Sequence, residues 1–225
     1  MKRAIIFAVL AVLLTRGESF AGITRRTVES AWTRITEADN FTKIPIIYDK
    51  DSDPNAYVHF LDEKNFTVHV TAGLMRILGT EDEIAGVLGH EIGHVRLGHY
   101  ADMLLTDTAN TIMSTNADRI DPLAREIGRI DSELREMKFS RQQETQADDY
   151  GTELLRKAGY NVWGLYNAMK RFDDNGYGSE HNGFSSHPAS RERLSHLAEK
   201  AGSIKERGKN SHDSLSGLAD ILMGQ

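Results

Sequence analysis

Along the chain, apolar residues first recur at helical spacing between residues 24 and 39, where Val28, Ala31, Trp32 and Ile35 share one face. An amphipathic helix is expected there. The apolar run 44–48 reads as a strand and the Asp/Ser/Pro cluster 49–54 as a turn. Residues 57–61 and 66–70, separated by Asp62-Glu63-Lys64-Asn65, read as the two strands of a hairpin. After Gly73 the pattern becomes helical, with helices expected over 74–78, 81–98, 121–138, 140–157, 162–172 and 188–200. Ser140 with Gln143 three residues on is a helix start, and Gly159 after Lys157 a stop. A glycine-rich polar loop spans 173–186, long enough to serve a function. The last 25 residues begin Gly/Lys/Ser-rich and end in a short apolar helix over 215–223. The series predicts an α+β, mainly helical fold with a small β-sheet or hairpin ahead of the helix at 81–98.

The N-terminus follows a different logic. Lys2 and Arg3 supply positive charge, residues 4–14 are uniformly apolar, and Ser19-Phe20-Ala21 gives a small-x-small pattern. This reads as a secretory signal peptide over 1–21, its apolar run being too short to span a bilayer. The expected organisation is therefore a signal peptide at 1–21, a folded domain at 22–200 and a C-terminal tail at 201–225. Export is expected, most readily to a periplasm, with no integral span in the mature chain and room for peripheral association with an envelope.

Composition narrows the chemistry. With 40% hydrophobic and 27% charged residues among 225, the chain is of ordinary globular type and large enough to bury a core. Its formal charge of −6 becomes two units more negative without residues 1–21, so no electrostatic footprint for nucleic acid exists. It contains no cysteine, which excludes disulfides, thiolate metal sites and cysteine nucleophiles. Any metal must be held by His, Asp or Glu.

His90-Glu91-Ile92-Gly93-His94 is an H-E-x-x-H motif within a helical pattern. Successive turns put both imidazoles on one face, where they can share a cation, with Glu91 beside them near a metal-bound water. Gly86, Gly89 and Gly93 each cost this helix about 0.8–1 kcal/mol relative to Ala, so close approach of another backbone, or room for a substrate, is expected along it. Ile84, Val87, Leu88, Ile92 and Val95 form a separate apolar stripe. A catalytic zinc needs a third protein ligand. Leu97 and Tyr100 stand where a metzincin continuation requires Gly and His, which excludes that class. His99, nine residues after His90, is expected to point away from the metal and to hydrogen-bond locally. Glu126, Glu133, Glu136, Glu144 and Asp148 are acidic candidates that spacing does not rank, although Glu144 and Asp148 share a helix face, so that one could bind metal while the other orients a ligand imidazole.

Together, His90-Glu91-Ile92-Gly93-His94-Val95, Glu144-Thr145-Gln146-Ala147-Asp148 and Ser185-Ser186-His187-Pro188 followed by Arg193 resemble the HtpX, BepA and CAAX prenyl protease group of gluzincin-type zinc endopeptidases. Pro54-Asn55-Ala56-Tyr57 and Thr71-Ala72-Gly73-Leu74-Met75 extend the likeness, which covers roughly residues 40–197. It implies a zincin-like metalloprotease domain holding one zinc per chain through His90, His94 and Glu144, with Glu91 as general base. It further implies that Asp148 orients His90, that Arg193 pairs with the carboxylates, and that His187 stabilises the oxyanion or caps the metal reversibly. Asn55 and Ala56 would open the edge strand that pairs with an extended polypeptide substrate, expected to be an exported, misfolded or unfolded protein. Tyr160, Tyr166 and Tyr177 are weaker candidates for auxiliary hydrogen-bond donors.

The chain departs from the group in two respects. Val58-His59-Phe60-Leu61-Asp62 replaces the Pro and Gly residues often found after the Asn-Ala strand, so the cleft is expected to differ. The membrane helices of multi-span members and the helical-repeat module of BepA have no counterpart, which argues against prenylated or intramembrane substrates. Two other readings compete. One is a periplasmic zinc-binding or chaperone-like module in which His187 keeps the site closed. The other is a di-metal bundle, which requires two E-x-x-H units where this chain has one.

Overall fold

The computed structural model describes residues 22–62, 65–103, 139–177, 187 and 190–206, with the backbone alone at 60–62 and 65. The helix expected at 121–138, the signal peptide expected at 1–21, and most of the 173–186 loop and of the 201–225 segment lie outside the described residues, as do Glu126, Glu133 and Glu136.

Helix α1, Arg25–Asp39, starts where Thr24 caps it: the Thr24 hydroxyl accepts from the Thr27 N–H at 3.2 Å. It ends at Asn40, in the left-handed region at φ 49°. Val28, Ala31, Trp32 and Ile35 are fully buried, and the Trp32 indole donates to the Ile44 carbonyl at 2.8 Å.

Strands β1 (Ile46–Asp49), β2 (Ala56–Asp62) and β3 (Asn65–Thr71) form a sheet in the order β1-β3-β2. β2 and β3 are the expected hairpin, with Val58 opposite Val68, and β1 pairs parallel to β3, with Ile46 opposite Val68. Ile46, Ala56, Val58, Val68 and Val70 are buried on one face, and Asp49, Tyr57, Thr67 and His69 join one another by hydrogen bonds on the other, as a period of two requires. β1 begins two residues later than its apolar run and extends into the expected turn, because Asp49 still pairs with Thr71.

Helix α2, Ala72–Ile77, follows β3 directly, capped by the Thr71 hydroxyl. Helix α3, Glu81–Arg96, is capped by Thr80 and carries Glu81, Asp82 and Glu83 in its first turn, where carboxylates favour the helix dipole. Helix α4, Arg141–Lys157, has the complete Ser140/Gln143 capping box. Helix α5 covers Gly164–Asp174, and α6 covers 191–206, both shifted a few residues C-terminal to expectation. Among the described residues no helix is long and apolar enough to cross a membrane.

α3 is the centre of the domain: every residue from Glu83 to His94 is buried, and α1, α4 and α5 pack around it. Its glycines explain how. A Cβ on Gly86 would stand 2.5 Å from the Leu165 backbone nitrogen of α5, and one on Gly93 would stand 3.2 Å from the Ala147 Cα of α4. Close approach of neighbouring backbones is thus what the glycines provide. The helical cost inferred from the sequence is offset by bringing α4 against the histidine face.

Candidate metal centre

α3 presents His90, Glu91 and His94, all buried, toward α4, which presents Glu144 and Asp148, also buried. His187 and Arg193 reach the same point from the C-terminal side and are likewise buried. Ligand atoms of His90, His94, Glu144 and His187 all lie within 4.8 Å of one another. His94 Nε2 is 3.1 Å from His90 Nε2, which is 3.2 Å from His187 Nδ1. Glu144 lies 3.6 Å from each α3 imidazole and accepts from His187 Nδ1 at 2.8 Å.

Buried nitrogens facing one another so closely, with a carboxylate among them, are a donor set suited to a divalent cation. Imidazole and carboxylate are the ligands that zinc takes in the absence of thiolate. Glu91 Oε1 is buried without a hydrogen-bond partner, 3.5 Å from His187 Nε2, so this oxygen remains open toward the cluster. The donor set and the open carboxylate oxygen fit a catalytic metal ion.

His90 and Glu144 are held from behind. Asp148 Oδ1 lies 3.0 Å from His90 Nδ1, within ion-pair distance though off the line of a hydrogen bond. Arg193 forks onto Asp148, Nε donating to Oδ2 at 2.9 Å and Nη2 to Oδ1 at 2.6 Å, while Nη1 sits 2.7 Å from Glu144 Oε2. Burial by itself would raise the Asp148 pKa, but the Arg193 charge and hydrogen bonds, with the His90 imidazole alongside, hold it well below the usual carboxylate range. Glu144 is likewise lowered: burial opposes ionisation, and His187 and Arg193 outweigh it. His94 is pushed well below the ordinary histidine value, first by burial and then by repulsion from His90 and His187, which favours the neutral form that ligates metal. Burial also opposes the charge on His187, yet Glu144 and Glu91 raise its pKa.

Three neighbours lie at the centre that sequence reasoning did not place there. His99 is not half a turn round the same helix: α3 ends at Arg96, and Gly98, at φ 76°, turns the chain back. His99 Nδ1 thereby comes 3.0 Å from His94 Nδ1, and its Nε2 lies 3.1 Å from Gln146 Oε1. One partner, His94, is local, as expected, but is a member of the cluster, and the other, Gln146, lies 47 residues away on α4. The same reversal brings the Tyr100 hydroxyl to Glu91 Oε2, to which it donates at 3.0 Å while accepting from the Val58 N–H at 3.3 Å. Phe139, just ahead of the Ser140 cap, lies on the His94 ring at a centroid distance of 3.7 Å and forms an apolar wall. Gly98 as a helix stop was the available signal for the first two.

The other candidates are elsewhere. The Asn55 N–H donates to the Thr71 hydroxyl at 2.9 Å and its carbonyl accepts from the Thr71 N–H, which ties the start of β2 to β3 and puts Ala56 on the edge strand of the sheet. The described hydrogen bonds of Asn55 do not reach the cluster. Tyr160 donates to Glu81 at the opposite end of α3, and Tyr166 packs on Trp163.

A model of peptidase family M48 matches residues 23–201. Metalloprotease YcaL of Escherichia coli (strain K12) is 32% identical over 174 residues, covering 74% of this chain and 66% of the relative. Metalloprotease LoiP of the same organism is 32% identical over 141 residues, 60% of this chain and 56% of the relative. A protease HtpX homolog of Thermodesulfovibrio yellowstonii is 41% identical over 70 residues, 31% of this chain and 23% of the relative. The match takes in less than two thirds of the length of each of the three.

Proposed function

Because the chain belongs to peptidase family M48, we propose that it is a zinc-dependent endopeptidase in which His90, His94 and Glu144 hold one zinc ion and Glu91 is the general base. The observation that carries this reading is the convergence of three imidazoles and a carboxylate, all buried, on one point beside a buried Glu91 oxygen that makes no hydrogen bond. Zinc bound there supplies Lewis acidity toward the scissile carbonyl and toward water. Glu91 receives the water's proton on Oε1 and returns it to the leaving amine, while the Tyr100 hydroxyl on Oε2 fixes the carboxylate plane. Asp148 orients His90, and Arg193 balances the two carboxylates of α4. His187 donates toward the developing oxyanion once it leaves Glu144. Ala56 opens the edge strand on which an extended polypeptide can add. The leader-like pattern at 1–21 favours exported, unfolded polypeptides as substrates, which cell fractionation and casein cleavage together test.

Glu91→Gln is the decisive variant. It is expected to bind one equivalent of zinc and to lose casein cleavage, and wild-type cleavage should stop on chelation. Peptide cleavage retained by Glu91→Gln would remove Glu91 as the base.

The placement of His187 among the ligand atoms favours a second reading, in which it is a fourth ligand and the zinc site is closed. Stoichiometric zinc without turnover on any unfolded protein, with turnover gained in His187→Ala, would establish that reading instead.

A further inference from the structure

The two α3 imidazoles are supported unequally. His90 Nδ1 faces the Asp148 carboxylate, itself gripped by Arg193. His94 Nδ1 faces another imidazole, His99 Nδ1, at 3.0 Å, and behind it Gln146 Oε1 lies 3.1 Å from His99 Nε2. His94 and His99 are buried, and Gln146 is at the surface.

A neutral imidazole carries one N–H, so two ring nitrogens at this distance bond only if one donates and the other accepts. Two proton arrangements satisfy the chain. In the first, Gln146 Oε1 accepts from His99 Nε2–H, which leaves the His99 Nδ1 lone pair to accept from His94 Nδ1–H. His94 Nε2 then carries a lone pair toward His90 and Glu144. In the second, the amide is reversed and its N–H donates to His99 Nε2. His99 must then donate from Nδ1 to His94 Nδ1, and His94 Nε2 carries a hydrogen into the cluster, where it cannot ligate. The structure has the amide oxygen toward His99, the first arrangement.

We propose that His99, backed by Gln146, is a positioning residue that holds His94 in the tautomer able to bind metal. This rests on the zinc reading of the site. The difference from His90 matters: an anionic partner accepts a proton in any arrangement, whereas the His99 ring accepts only while its own far nitrogen has somewhere to donate. Gln146 supplies that place, and ties an exposed position on α4 to a ligand on α3.

The test is competition for zinc between the full chain and a chromophoric chelator, with folding checked by circular dichroism. His99→Phe keeps a ring but no acceptor and should weaken zinc binding by about 10- to 100-fold. His99→Asn puts an amide oxygen near the place of Nδ1 and should restore most of that loss. Gln146→Leu should weaken binding by a smaller factor. In the zinc-bound wild type, nitrogen NMR should find His99 protonated at Nε2 and bare at Nδ1. His99→Phe binding zinc within about twofold of wild type, or a proton on His99 Nδ1, would overturn the proposal. If His99→Phe does not fold, Gln146→Leu and the NMR tautomer decide. A wild-type chain that binds no zinc would instead overturn the zinc reading itself.

Discussion

Gly151 of α4 lies against His90 of α3 so closely that a Cβ built on it would stand 2.8 Å from the His90 backbone nitrogen. This contact sets the distance between the helix that carries the imidazoles and the helix that carries Glu144 and Asp148. Gly151→Ala is expected to push the helices apart, destabilise the fold by about 1–3 kcal/mol and lower zinc content. Urea denaturation with metal analysis measures both, and wild-type values for both would contradict the packing account.

Gly98 calls for a different substitution logic. Its φ is 76° and a Cβ there would meet nothing within 4 Å, so Gly98→Ala is opposed by backbone conformation alone. A loss of about 1–2 kcal/mol is expected. Because His99 and Tyr100 follow the turn, zinc retention should fall along with the melting temperature. A lowered melting temperature with unchanged zinc affinity would separate the turn from the site.

Tyr100→Phe removes the hydroxyl from Glu91 Oε2 and keeps the buried ring, which meets Phe139 edge-on at 5.1 Å. On the peptidase reading, kcat should fall about tenfold, the equivalent of one hydrogen bond to a charged group, with KM and zinc content little changed. Steady-state kinetics on a defined peptide give the split. A kcat within twofold of wild type would mean that Glu91 needs no help from Tyr100.

Asp148 titrates in the folded protein below its ordinary 3.8, since burial is outweighed by Arg193 and His90. The stabilisation is therefore complete above about pH 4 and disappears as pH falls through the folded value. Asp148→Asn should be less stable than wild type by about 3–5 kcal/mol at pH 7, because Arg193 loses a buried partner. The deficit should shrink as pH falls below 4. Urea midpoints across pH 3–7 check it, and a constant deficit would place the loss in packing rather than charge.

Much of this architecture is written in local patterns. The Val28/Ala31/Trp32/Ile35 stripe, the hairpin alternation and the Ser140/Gln143 box each report on residues within one element, so α1, β2, β3 and α4 are legible to within one or two residues. α5 begins at Gly164 rather than at 162, and its first residue lies against the Asp82 carbonyl, 82 residues away. His99 stays out of the ligand group, as expected, but treating 81–98 as one helix missed where it goes: the left-handed Gly98 brings it directly behind His94, against Nδ1.

By itself the sequence determined which groups are available: two imidazoles and a carboxylate on one helical turn, no thiol, and motifs whose order resembles a zinc peptidase group. That follows because helical spacing and residue chemistry are local properties. Tertiary structure decided that Glu144 meets the imidazoles, that Arg193 grips Asp148 and Glu144 together, and that His99, Tyr100 and Phe139 enclose the centre. Those outcomes depend on how closely α3 and α4 approach through Gly93 and Gly151 and on where the chain reverses at Gly98, distances that no single element contains.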